Sequence, residues 1–403
     1  MKKIITLFFA ISLFFTGEIF ACTSAIFTGK LTPDGRPLMW KHRDSDFENN
    51  RTEYFKGEKY NFIALVNSVG NHPNEAWTGT NSVGFSIMNT ASYNLKNDKI
   101  SGDQMDQEGV FMYKALATCR NLSDFEKMLD KSKRPMGVEA NFGVIDAQGG
   151  AAYYEVNNDS WTKIDANDPK VAPQGYIVYT NFSYSGRYNE GLGYIRYNTA
   201  SKIIGEYVGL AGVITPEWIF KNLSRSFYHS VLGLDLVKDN AFLQKGSGWF
   251  GDLDFISRKS SSASLVIHGV KQGENPLNTV MWTIVGYPPI GIAVPMFVAA
   301  AENQPSFMLK SANSNNCRMC DWVLERKDKV FSIHRGNGSN YMNFNLLYNP
   351  KAKNGYMQVT NKIESKVFQM ANPIIEDFRS NGFQADKLKD IYGYIQSIVS
   401  VSK

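Results

Sequence analysis

A cysteine directly follows the predicted end of an export signal, in the stretch "TGEIFACTSAIF" at residues 16–27. If the chain is cut after Ala21, Cys22 becomes the first residue and carries both a thiol and a free α-amino group. An α-amine has an ordinary pKa of ~7.7–8 and is therefore partly neutral near pH 7. It can take the thiol proton directly or through a water, so that one residue supplies both nucleophile and base. This arrangement predicts nucleophilic catalysis by Cys22 without a histidine.

Residues 1–21 have the composition of a secretory signal peptide. Lys2 and Lys3 give a positive start, and residues 4–15 are apolar apart from one threonine and one serine. That run is shorter than the ~20 residues that a membrane span needs, and the small Ala21 suits a cleavage site. We therefore expect a protein exported to the periplasm or the extracellular space, in keeping with a bacterial source. Residues 22–403 are predicted to form a single domain.

Three other interpretations of Cys22 remain open at this point. Cys22 could be acylated as a lipoprotein anchor, although the bulky Phe20 stands where lipoprotein signals favour a small residue. A β-prone segment also begins at once, where a lipoprotein usually has a flexible polar tether. Alternatively, Cys22 is a buried structural thiol, or the signal is cut elsewhere.

Composition excludes several classes of protein. The net charge of +5 is mild and is not gathered into a basic stripe, so no nucleic-acid partner is expected. No segment after the signal is long and apolar enough for stable insertion into a membrane. The five histidines are scattered without a ligand motif, so neither a metal nor another cofactor is predicted. The oligomeric state stays open, with a homo-oligomer among the alternatives.

The remaining cysteines are too few for a disulfide framework. Cys119 stands alone, whereas Cys317 and Cys320 form the sequence "CRMC". A second CxxC or a nearby histidine pair is missing, which argues against zinc. The sequence favours two packed or bridged cysteines near the surface over a redox pair.

The order of predicted elements indicates an α+β fold. A hairpin is expected first, with a strand at 22–27, a turn at Thr32–Gly35 and a returning strand at 36–44. Helices are predicted at 106–119 and 383–401. Two further helices are predicted to start at capping signals, one at the pair of Ser123 and Glu126 and one at the N-cap Thr215, which is followed by Pro216. Further strands are predicted at 61–66, 83–92, 142–156, 176–182, 262–270, 278–286 and 291–300.

The order of several short motifs resembles that of a known superfamily. The sequence resembles N-terminal nucleophile hydrolases with a cysteine nucleophile, in particular the choloylglycine hydrolase/penicillin V acylase group and the isopenicillin-N acyltransferase-like group. The resemblance implies a four-layer αββα sandwich and cleavage of a linear amide, or transfer of its acyl group. The matching segments are "CTSAIF" with Cys22, "HRDSD" with Arg43 and Asp46, "NSVGFSIMN" with Asn89, "VYTNF" with Asn181 and "LSRSF" with Arg225.

Each matching residue also has a physical role in such a reaction. Arg43 on the returning strand would favour the thiolate of Cys22 as a permanent cation. Asp46 would accept a hydrogen bond from the α-ammonium and orient it, with Asp44 as the rival carboxylate, because the side-chain direction of this segment is open.

The later motifs would serve the carbonyl side of the reaction. Asn181 and Asn89 would donate to the developing oxyanion, a role whose loss elsewhere costs ~2.7–4 kcal/mol. Arg225 would close the cation network of the site or hold a carboxylate. The expected substrate is a small N-acyl amide or a peptide. The alternatives are a dipeptidase of the same superfamily and a lipid-anchored binding protein acylated at Cys22.

Overall fold

The computed structural model describes residues 21–69, 74–96, 100–101, 104–239, 247–252, 254–312 and 314–400. Apart from Ala21, the predicted export signal lies outside these residues. Within them, no helix combines the length and the apolar character that crossing a bilayer requires.

The strands are short and almost all antiparallel to their neighbours. In chain order they are β1 (Cys22–Phe27), β2 (Leu38–Asp44), β3 (Asn50–Phe55), β4 (Phe62–Asn67), β5 (Thr78–Asn81), β6 (Ser86–Ala91), β7 (Ala140–Ile145), β8 (Ala151–Val156), β9 (Trp161–Asp165), β10 (Tyr176–Tyr179), β11 (Tyr228–His229), β12 (Leu234–Asp235), β13 (Trp249–Gly251), β14 (Ser261–His268), β15 (Val280–Val285), β16 (Val294–Met296) and β17 (Tyr341–Asn343).

Helices account for most of the remaining regular structure. They are α1 (Glu108–Thr118), α2 (Leu122–Lys131), α3 (Tyr194–Gly209), α4 (Pro216–Ile219), α5 (Arg318–Val330), α6 (Phe344–Leu347), α7 (Tyr356–Asn381) and α8 (Lys389–Val399), and α4 continues as a π-helical turn at Phe220–Ser224.

Two large antiparallel sheets form the centre of the molecule. The first has six strands in the order β10-β1-β2-β14-β15-β16, and the second has seven in the order β3 to β9. The predicted hairpin opens the first sheet, where Gly35 takes a φ of 72° in the turn, a conformation that suits glycine. The second sheet is a simple meander because each strand pairs with the next along the chain.

The two sheets lie face to face between layers of helices. Along β4, Ile63 and Leu65 belong to the core shared with the first sheet, whereas Phe62 and Ala64 belong to the core under α1 and α2. This alternation follows from the two-residue period of a strand. On the other side, α3, α4 and α5 lie against β10, β14 and β15. The predicted α+β fold with four αββα layers is confirmed.

The structure changes some predicted boundaries. The helix expected from Ser123 starts at Leu122, because the Asn121 side chain caps it by accepting from the Asp124 backbone nitrogen. The Thr215 cap with Pro216 is confirmed. The strand expected at 291–300 shortens to an edge strand, Val294–Met296, in keeping with the proline at its centre.

The C-terminal region is more helical than predicted. The helix expected at 383–401 is confirmed in part as α8, but the longer α7 before it was not predicted. Its internal Pro373 argues for a break in the pattern, yet the helix continues because its buried face packs on the first sheet's outer side. The prediction of a single domain from 22 to 403 stays a prediction.

Candidate active site

A cavity of about 790 Å³ opens beside the start of β1. The Cys22 side chain lies on the face of β1 that meets the second sheet, as shown by Ser24 two residues on, whose hydroxyl lies 3.0 Å from the Tyr153 hydroxyl on β8. Cys22 is only 6% exposed. The thiol is therefore placed at the end of the space between the sheets, inside a cleft and not on the outer surface.

The hairpin brings Arg43 directly opposite Cys22. The register of β1 and β2 pairs these two residues, and directly paired residues of antiparallel strands share a face. The Arg43 guanidinium donates to the Oδ1 atoms of Asn50 and Asn67, at 2.5 and 2.9 Å, and lies 5.0 Å from the centre of the Trp77 ring. Burial lowers the Arg43 pKa to about 10, which leaves it a cation at neutral pH.

Asn181 holds the backbone nitrogen of Cys22. The Cys22 nitrogen donates to Asn181 Oδ1 at 2.9 Å, while Asn181 Nδ2 donates to the carbonyl of Ala91 at 3.0 Å. The predicted proximity of Asn181 to the nucleophile is present. The contacts give it a different role from the predicted oxyanion donor, because the oxygen of its amide faces the nucleophile's nitrogen.

Arg196, which the sequence analysis missed, anchors the same group from α3. Its guanidinium donates to the Cys22 carbonyl at 2.6 Å and to Asn181 Oδ1 at 3.0 Å, and pairs with Asp254 at 2.9 Å. No motif marks this residue. The one available signal is its spacing from Thr199, Ala200 and Ile204, the other buried residues of α3, which puts an arginine on the buried stripe of a helix.

Lys41 and Asn89 form a second pair inside the cavity. Lys41 is two residues before Arg43 on β2 and so faces the same side. Its Nζ donates to Asn89 Oδ1 and to the Trp77 carbonyl, both at 2.6 Å. Burial lowers the Lys41 pKa to about 7. The charge of Cys22 opposes this shift, whereas the nearby cation Arg43 adds a smaller lowering effect. The sequence analysis missed Lys41, although its spacing from Arg43 was a usable signal.

The orientation of Asn89 follows from that contact. Because Lys41 occupies the amide oxygen, the Nδ2 group is turned away from Lys41. Among the described residues it donates no hydrogen bond, and Asn89 lines the cavity with Cys22. The geometry therefore leaves an amide donor in the cavity that Cys22 lines.

The structure does not bring Asp46 to the cavity that Cys22 lines. Asp46 lies two residues beyond the end of β2, is exposed, and lines a separate depression with Asp252 and Asp254. Its rival Asp44 is buried at the strand end and does reach the cavity wall. The Asp44 carboxylate accepts from Arg258 Nε at 3.0 Å and from the Ser261 hydroxyl at 2.7 Å, so it anchors β2 to the β14 end of the sheet.

The structure does not bring Arg225 to the cavity that Cys22 lines either. Its guanidinium makes a two-point ion pair with Glu364 of α7, at 2.6 and 2.7 Å, and donates to the carbonyls of Pro288 and Gly291. These contacts tie Arg225 to α7 and to the loop after β15. Its partner lies 139 residues away in sequence, which local motif reading does not detect.

The cavity also has an acidic wall made by three carboxylates: those of Glu75, Asp106 and Glu108. Burial raises the Glu108 pKa to about 7. Two backbone hydrogen bonds oppose this shift, and the nearby negative charges of Asp106 and Glu139 add to it. In the described part of the chain, no three or more histidine, cysteine, aspartate or glutamate side chains are placed to hold a metal ion.

Cys317 and Cys320 are packed thiols in the structure. Cys317 caps α5 by accepting from the Cys320 backbone nitrogen at 3.4 Å, and its Sγ donates to the Asn50 carbonyl at 3.3 Å. Both are buried and unbridged, and burial raises both thiol pKa values. The cysteines are packed, as predicted, but the expected position near the surface is wrong, because both side chains are fully buried.

Comparison with family models gives no match, and comparison with curated proteins gives none either. Solved structures do show similarity. The Caenorhabditis elegans ortholog of N-acylethanolamine-hydrolyzing acid amidase is 14% identical, with 61% of this chain and 92% of that chain covered and a TM-score of 0.40. A variant of conjugated bile acid hydrolase from Clostridium perfringens is 12% identical, with 68% and 92% covered and a TM-score of 0.40. Penicillin V acylase from Agrobacterium tumefaciens is 12% identical, with 68% and 86% covered and a TM-score of 0.34. No residue role is transferred from these proteins.

Proposed function

We propose that this protein is an exported amide hydrolase or acyltransferase whose nucleophile is the Cys22 thiol, freed with its α-amine by a cut after Ala21. The observation that carries the proposal is the 2.9 Å hydrogen bond from the Cys22 nitrogen to Asn181 Oδ1 inside a cavity. Asn181 would hold the liberated amine in the same position, with a nitrogen lone pair available for the thiol proton.

The reaction begins when the Cys22 amine takes the thiol proton and the sulfur attacks the amide carbonyl carbon. The oxyanion that forms accepts from Asn89 Nδ2, whose orientation Lys41 maintains. Arg43 favours the thiolate as a buried cation opposite the nucleophile. Collapse breaks the carbon–nitrogen bond, the ammonium returns its proton to the leaving amine, and a thioester remains. Water, or a second amine in the transfer reaction, then releases the acyl group and restores the thiol.

The lipoprotein interpretation of Cys22 fits the contacts less well. A diacylglycerol joined to the Cys22 sulfur by a thioether would have to extend to a membrane from a residue that is only 6% exposed and lies within a cleft. Cys22 also begins a strand that is held on both edges, by β2 from Cys22 onward and by β10 from Ser24 onward.

Intact mass and N-terminal sequencing of the exported protein test the premise. We expect a chain that begins at Cys22 with an unmodified amine and thiol. Cys22→Ser should lose most turnover on a panel of N-acyl amides and dipeptides while circular dichroism stays unchanged. One alanine inserted before Cys22 should also abolish turnover, because the amine becomes an amide. Full activity of Cys22→Ser, or a lipid on Cys22, would refute the proposal.

A further inference from the structure

Charged side chains of both signs line the cavity. On β2 and β3 the basic groups Lys41, Arg43 and Arg51 stand with two carboxylates that already have arginine partners: Glu53 pairs with Arg51 at 2.7 Å, and Asp44 accepts from Arg258 at 3.0 Å. The remaining carboxylates form the acidic wall, on the segment before β5 and at the start of α1. A substrate in this cavity therefore meets basic groups on β2 and β3 and the acidic wall on the other two segments.

Glu108 is the least compensated member of the acidic wall. It is only 9% exposed, and its Oε1 accepts from the Glu139 backbone nitrogen at 3.0 Å. Within the described part of the chain, no donor from another residue reaches its Oε2 and no lysine or arginine pairs with it. Burying a carboxylate without a cation is unfavourable, and the cost is recovered when a cation binds.

The acidic wall and Cys22 line the same cavity. The Tyr93 hydroxyl feels the charges of Cys22, Glu108 and Asp106, and burial together with these charges raises the Tyr93 pKa. Arg43, opposite Cys22, likewise feels the charge of Glu75. A substrate bound in this cavity therefore shares one space with the thiol and with these carboxylates.

We propose that the cavity selects small amides that carry a free ammonium group, bound by Glu108 with the neighbouring carboxylates of Glu75 and Asp106. This inference rests on the proposed function for its reaction but not for its binding step. An ammonium supplies both the hydrogen-bond donor and the positive charge that Glu108 lacks among the described residues. Aminoacyl amides and unprotected dipeptides belong to this class, whereas their N-acetylated counterparts carry no such charge.

Paired substrates test the inference in the mature enzyme. Alanyl-p-nitroanilide and N-acetylalanyl-p-nitroanilide differ only at the α-nitrogen, which is an ammonium in the first and a neutral acetamide in the second. Glycyl and β-alanyl pairs vary the distance between this nitrogen and the scissile amide. We expect kcat/KM to be at least tenfold higher for the free amine of one or more pairs. Glu108→Gln should reduce kcat/KM for the free amine about tenfold or more, since hydrogen bonds to charged groups are worth more than neutral ones, and should change it less than threefold for the acetylated partner.

A matched control separates charge at this site from charge in general. Asp46→Asn removes an exposed carboxylate outside the cavity and should leave the ratio within each pair unchanged. Thermal unfolding of Glu108→Gln checks the fold. An equal effect of Glu108→Gln on both members of every pair, or a preference for the acetylated member, overturns the inference.

Binding measurements distinguish this failure from failure of the proposed function. Calorimetry with the Cys22→Ala variant compares alaninamide with N-acetylalaninamide, with no turnover involved. Preferential binding of alaninamide that is lost in the Cys22→Ala/Glu108→Gln double variant supports the ammonium site even if the wild-type enzyme cleaves neither substrate. Equal binding of both ligands overturns the ammonium site, while cleavage of acetylated substrates by the wild-type enzyme would still support the amide hydrolase.

Discussion

The side-chain oxygen of Asn181 lies 2.9 Å from the backbone nitrogen of Cys22, although 159 residues separate the two in the chain. The register of β1 and β10 explains the contact. Ser24 pairs with Tyr179, and continuing that antiparallel register by two residues places Asn181 opposite Cys22. The nitrogen that the proposed mechanism uses as a base is therefore positioned by the segment that follows the neighbouring strand of the same sheet.

Asn181→Leu should lower kcat/KM by about 5- to 150-fold, because a lost acceptor leaves a buried donor at a cost of about 1–3 kcal/mol. Asn181→Asp keeps an acceptor for the Cys22 nitrogen and for Arg196, so it should retain more activity than the leucine variant. Steady-state kinetics on one cleaved substrate make the comparison. Equal activity of both variants with the wild type would show that the Cys22 nitrogen needs no acceptor from this side.

Because of Lys41, the free energy of unfolding should increase as the pH rises above 7. Burial lowers its pKa from 10.5 to about 7, so between these values the unfolded chain binds one proton more than the folded chain. The free energy of unfolding therefore rises with pH over this range, by on the order of 3 kcal/mol from pH 7 to 9.5. Lys41→Met should remove that rise.

Urea denaturation at pH 7 and 9.5 measures the effect, with both proteins carrying Cys22→Ser so that the thiol does not titrate. Lys310→Met, at an exposed lysine of the same cavity, is the control and should keep the wild-type slope. Parallel slopes for wild type and Lys41→Met would mean that Lys41 stays charged in the folded state.

Arg225 and Glu364 should matter for stability and not for chemistry. Glu364→Ala leaves a buried guanidinium without its carboxylate, which costs about 3–5 kcal/mol of unfolding free energy. Replacing both partners, as Arg225→Met with Glu364→Leu, removes the unpaired charge and should be less harmful than Glu364→Ala. Thermal denaturation ranks the variants. At a temperature where the double variant is folded, its kcat should be within about twofold of wild type, and a large loss would return Arg225 to the site.

Variants of Asp46 and Asp44 test whether Asp46 takes part in the reaction. Asp46→Asn should leave kcat/KM and thermal stability near their wild-type values, because the side chain is exposed and lines another depression. Asp44→Asn breaks the ion pair with Arg258, measured at 2.9 Å, and should lower the melting temperature. A loss of activity in the folded Asp46 variant would restore the original prediction.

The sequence alone determined the features that depend on neighbours in the chain. Cys22 begins a strand, a turn with Gly35 returns the chain, and Arg43 stands opposite Cys22 because a hairpin pairs residues by simple counting along two strands. The two-residue period also carried enough information to place Lys41 on the same face.

Tertiary structure decided which distant groups complete the site. Asp46 looked equivalent to Asp44 in sequence, and only the structure shows that Asp44 lines the cavity with Cys22 whereas Asp46 lines another depression. Asn181 and Arg196 reach Cys22, whereas Arg225 reaches Glu364, because of how β10, α3 and α7 pack around the first sheet. Such contacts join residues more than 130 positions apart in the chain, and a local sequence pattern does not show which distant residue a side chain will contact.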